Sequence, residues 1–80
     1  MEARLNITIS GMNGDLADPV PFDATDAEIR QWATEAVRGG SVPGITAVAD
    51  ADFTDFVVDR FSSKDDLPNR LTLRPKTPFG

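Results

Sequence analysis

Apolar and polar positions divide this chain into one helix and several short extended segments. From Thr25 to Arg38, Ile29, Trp32, Ala33, Ala36 and Val37 recur at i, i+3, i+4, i+7 and i+8, which is the single stripe of a half-buried helix. Thr25 followed by Glu28 predicts a capping box, Asp26 and Glu28 suit the positive end of the helix dipole, and Arg38 suits the negative end. Gly39-Gly40 then offers a residue free to turn the backbone and stop the helix.

Before the helix, Arg4 to Ser10 alternates strictly, with Leu5, Ile7 and Ile9 on one face and Asn6, Thr8 and Ser10 on the other, so it predicts a half-buried strand. Gly11 to Gly14 reads as the turn after it. Asp18 to Phe22 carries Pro19 and Pro21, each lacking a ladder donor, and this confines it to a sheet edge, where it can pair with the first strand.

After the helix, Gly39 to Gly44 is a loop by its turn residues and Ile45 to Val48 is a short strand candidate. In Ala51 to Phe61 the apolar residues fit helical spacing or strand alternation, and the aromatic and β-branched content favours a strand. Ser62 to Asn69 is a polar loop, Arg70 to Arg74 alternates with Leu71 and Leu73 inward, and residues 75–80 form an extended C-terminal tail. The expected fold class is therefore α+β. A small mixed or antiparallel sheet packs on one amphipathic helix in the order β-β-α-β-β, as a single domain over residues 1–80.

Composition narrows the chemistry. The 80 residues include no cysteine and no histidine, which removes disulfides, the usual zinc sets and the Ser-His or Cys-His pairs of nucleophilic catalysis. No catalytic residue, cofactor or metal site is expected. Asp50-x-Asp52-x-x-Asp55 has the opening of a calcium loop, but Asp55 stands where that loop needs glycine and Phe61 where it needs glutamate. Gly11-x-x-Gly14 has the spacing of a KH loop without the basic surroundings, and a hairpin turn accounts for it better. Asn6-Ile7-Thr8 matches a glycosylation sequon by chance, given its place in a strand.

The net charge of −5 argues against nucleic acid as a partner. Residues 15–66 hold twelve acids against four bases, whereas residues 67–80 hold Arg70, Arg74 and Lys76 and no acid. No apolar run is long enough to span a membrane and no leader is visible, so a cytoplasmic location is expected, or a virion for a protein of phage origin.

RLNITIS, the approach to the helix FDATDAEIRQW, the VPGI loop and the closing LPNRLTLRP together resemble, in order and spacing, the β-grasp or ubiquitin-like fold. Many proteins of that fold are binding modules. Some end in Gly-Gly and are activated at the terminal carboxylate, where this chain has Phe79-Gly80. The resemblance thus implies protein binding first, and a carrier activated at Gly80 as an alternative.

A small unstapled core, a proline-marked edge and a charge-segregated tail together point to a non-enzymatic structural or interaction subunit. It would dock through a sheet edge and its termini into a larger assembly, as an oligomer or complex subunit; a small bacteriophage virion protein or other bacterial particle component fits this description. An acidic inhibitor or adaptor directed at a basic protein surface is the alternative. The candidate partner-binding residues are Val20 and Phe22 on the edge and Arg70, Arg74, Lys76 and Phe79 toward the C-terminus.

Overall fold

Local capping fixes the helix at both ends. In the computed structural model, which describes residues 1–62 and 69–76, α1 spans Asp26–Arg38. The Thr25 hydroxyl accepts from the Glu28 amide at 3.1 Å, and the Glu28 carboxylate accepts from the Thr25 amide at 3.0 Å, completing the predicted capping box. At the other end Gly39 stays right-handed and Gly40 takes the left-handed turn, with φ 71°. Gly40 and Ser41 then donate to the Val37 and Ala36 carbonyls, the paired bonds of a Schellman stop.

Among the described residues, five strands form one mixed sheet: β1 Glu2–Ile9, β2 Met12–Asp15, β3 Val20–Pro21, β4 Val57–Phe61 and β5 Asn69–Arg74. The order is β2-β1-β5-β4, and β3 continues the β2 edge beside the start of β1. β1 runs antiparallel to β2 and β3 and parallel to β5, and β4 is antiparallel to β5. A small α+β domain with one amphipathic helix packed on a sheet is what the alternating and helical periods predicted, but the order is β-β-β-α-β-β rather than β-β-α-β-β, because Met12–Asp15 adds a strand before the helix.

One sheet face is dry. Ala3, Leu5, Ile7 and Ile9 of β1 and Leu71 and Leu73 of β5 are buried in one cluster with Ile29, Ala33 and Val37 of the helix. Trp32 lies beside that cluster and is only partly buried; it borders the core rather than filling it.

Three expectations are corrected. The turn after β1 is Ser10-Gly11, both at positive φ (52° and 77°), the twist that a two-residue hairpin needs. Met12–Asp15 is therefore strand, although its residues read as turn formers. Ile45 to Val48 forms no strand: both sides of β1 are already paired, and Ile45 is instead buried as part of an irregular segment over 39–56. In Ala51 to Phe61 only Val57–Phe61 is strand, because the chain turns between Phe53 and Phe56, where the Phe56 amide donates to the Phe53 carbonyl at 3.0 Å.

The irregular segment belongs to the core. Its first half crosses β2, where the Thr46 amide approaches the Met12 sulfur at 3.3 Å. Its second half returns along the helix and is held by arginines. Arg38 donates to the Ala51 carbonyl and Arg30 to the Phe56 carbonyl, each at 3.0 Å, and the Val48 amide donates to the Val37 carbonyl. Val42, Ile45, Ala51 and Phe53 are the buried side chains that this path delivers.

Candidate interaction surfaces

The face of the sheet turned away from the helix is polar and ordered in rows. β1 and β2 present Asn6, Thr8, Asn13 and Asp15, tied together by side-chain bonds: Asn6 donates to Asn13 and Asp15, and Asn13 donates back to Asn6 and to Thr8, all at 2.8–3.0 Å. Asn6, the sequon residue, is thus engaged within the sheet. On the far side Arg74 of β5 donates to Asp59 of β4 at 2.6 Å.

Next to that polar network lies a row of a different kind. In the register of the sheet, Phe61 pairs with Arg70 and Arg70 pairs with Arg4, so the three side chains share the open face. Arg4 and Arg70 are exposed, and Phe61 is 54% exposed. Met1 and Phe61 are the exposed large apolar residues among those described.

The two sheet edges differ. The β2–β3 edge is interrupted and carries Pro19 and Pro21, the devices that discourage further pairing. β4 pairs with β5 alone among the described strands and contains no proline. Its two charges are taken up within the domain, Asp59 by Arg74 and Arg60 by Asp26 at 2.6 Å and by the Phe22 carbonyl at 3.0 Å.

The residues singled out from sequence are scattered by this fold. Val20 is 6% exposed and faces the core, and Phe22 is partly buried, its carbonyl held by Arg60. Arg70 lies in the exposed row, Arg74 is bound to Asp59, and Lys76 is exposed. Phe79 lies outside the described residues. Arg4 and Phe61 were not singled out. Phe61 was visible as the end of an apolar run, but the pairing that sets Arg4 beside Arg70 joins residues far apart in sequence.

The acidic stretch near residue 52 has a local structural use. The Asp52 carboxylate accepts from the Thr54 hydroxyl at 2.6 Å and from its amide at 2.9 Å. These bonds lower its pKa below the ordinary aspartate value, opposed by desolvation and aided by the Arg38 cation. A folded-state pKa below the unfolded value contributes stability above the unfolded value, and that contribution is lost as pH falls through the folded one. Carboxyl-carbon NMR titration of Thr54→Ala should return Asp52 toward the ordinary value; an unchanged titration would remove Thr54 as the cause. Among the described residues no group of three or more Asp, Glu, His or Cys is placed to hold a metal, and no helix is long and apolar enough to cross a membrane.

No protein-family model matches the chain, and comparison with curated proteins and with solved structures finds no match either.

Proposed function

We propose that this chain is a non-enzymatic interaction subunit of β-grasp type that docks by its sheet into a larger protein assembly. The sheet order, with first and last strands parallel and adjacent and a hairpin preceding the helix, supports the β-grasp arrangement. The observation that carries the docking role is the contrast between edges: one is broken and proline-marked, while β4 is continuous, proline-free and bordered by exposed Phe61. An edge that pairs with no further strand among the described residues, and whose charges are already neutralised, accepts an added strand readily.

The test is native mass spectrometry on tagged chain recovered from the cells that make it, comparing wild type with Phe61→Lys and with Asp15→Lys on the opposite edge. The assembly should survive Asp15→Lys and dissociate with Phe61→Lys, and the circular-dichroism melt of Phe61→Lys, lowered slightly by the cation added opposite Arg70, should still lie well above the temperature of the measurement. Recovery of wild type solely as a monomer would overturn the assignment, as would an assembly indifferent to Phe61→Lys.

A further inference from the structure

We infer that the row Phe61–Arg70–Arg4 is a recognition site for an extended acidic segment of a partner protein, one that carries carboxylates and an apolar side chain. This rests on the interaction-subunit assignment above and specifies the chemistry of one of its surfaces.

The arginines themselves supply the first argument. The chain has six. Arg30 and Arg38 donate to loop carbonyls, Arg60 to Asp26 and the Phe22 carbonyl, and Arg74 to Asp59. Arg4 and Arg70 alone make no hydrogen bond or ion pair among the described residues, and these two are register partners on adjacent strands. Like charges directly opposite one another in a sheet destabilise it. Every other arginine is used to hold the domain together; this pair works against it.

Geometry and net charge identify the ligand. Side chains on neighbouring strands are about 5 Å apart, so the two guanidinium groups can converge on one carboxylate or hold successive carboxylates of an extended strand. Planar guanidinium groups bind carboxylates through paired hydrogen bonds. Phe61, one strand further along the same row, offers an apolar contact beside the charge. A nucleic acid backbone would also be attracted by the pair, but a chain of net charge −5 repels a long polyanion over the rest of its surface. A short acidic segment meets the row without that cost.

The experiment is a titration of isotope-labelled full-length chain with a synthetic peptide of alternating glutamate and valine, followed by amide NMR shifts. A glutamine-for-glutamate peptide and an oligothymidylate serve as comparison ligands. The glutamate peptide should shift the amides of Arg4, Arg70 and Phe61 and their sheet neighbours, the glutamine peptide should not, and added salt should weaken the effect. In the double variant Arg4→Ser, Arg70→Ser affinity should fall at least tenfold while the melting temperature stays level or rises, because a repulsion has been removed; a merely structural pair would lower it. Absent or diffuse shifts, shifts that persist in the double variant, or equal response to oligothymidylate would overturn the inference. If the cellular assembly still forms through the β4 edge while the peptide fails to bind, only the acidic-segment inference falls. If no assembly forms, the broader assignment falls with it.

Discussion

Gly14→Ala is expected to destabilise this domain by about 3 kcal/mol, the upper end of the usual range for overpacking, because the contact it meets is backbone. Gly14 lies opposite Ile7 on the dry face of the sheet. A Cβ built there would fall onto the Pro43 carbonyl oxygen and within 3.1 Å of the Val42 side chain. The obstacle is backbone, and it is held in place: a Cβ on Gly44 would come within 2.6 Å of the Asn13 carbonyl, so the loop and β2 touch through two glycines in reciprocal fashion. Gly44 also adopts φ 90°, a conformation that a residue with a side chain takes only with strain, so the contact is backbone against backbone on both sides. Gly11→Asn is the matched control. Gly11 sits at φ 77° with nothing near its missing side chain, and asparagine tolerates that conformation, so the change should stay within roughly 0.5 kcal/mol. Urea unfolding of both variants checks the pair. Equal midpoints would mean that the 39–56 segment does not press on β2.

The same contact shows why some elements were legible in the sequence and others were not. The helix was, because its determinants are local: a box closed between Thr25 and Glu28 and a stripe repeated within fourteen residues. β1 and β5 were, because one buried face imposes alternation on the chain itself. Gly14 was not. Asn13-Gly14 is turn vocabulary, and the reason for glycine there is the approach of Pro43, which no nearby residue signals. The irregular stretch from 39 to 56 failed for a related reason. Its apolar residues are spaced by a path over β2 and back along the helix rather than by a helical or strand period, so Ile45 to Val48 resembled a strand although it pairs with none. Of the candidate surface, Arg70 was named and Arg4 was not, since a parallel register between the first and last strands is a property of the folded sheet. The edge proved harder still. Proline did mark one edge, but an edge without proline carries no such signal, and only the strand order reveals which run forms it.

Phe53→Ala should remove about 3–5 kcal/mol, the range for emptying a buried phenylalanine site, out of a total of about 4–12 kcal/mol at this chain length. Phe53 is 1% exposed and is the largest fully buried side chain among the described residues, yet it comes from no helix or strand. It stacks edge-on against Phe56, with ring centres 4.7 Å apart and planes at 80°, an arrangement worth about 0.5–1.5 kcal/mol beyond area burial. The backbone around it has few bonds of its own: the amides of Val48, Ala51, Thr54 and Phe56 donate to the Val37 carbonyl, the Val48 carbonyl, the Asp52 carboxylate and the Phe53 carbonyl, and two carbonyls are gripped by Arg38 and Arg30. The buried ring therefore has to supply what a regular ladder would have supplied, and truncating it should free residues 48–56 before the sheet gives way. Hydrogen exchange separates the outcomes. Amides of 48–56 in the variant should lose protection at denaturant concentrations where β1 and β5 still hold theirs, and a loss below about 1 kcal/mol with protection intact would show that the segment is anchored by other contacts. Because that segment feeds directly into β4, its loosening should also blur the edge offered to a partner, so that stability and docking fail together in Phe53→Ala but separately in Phe61→Lys.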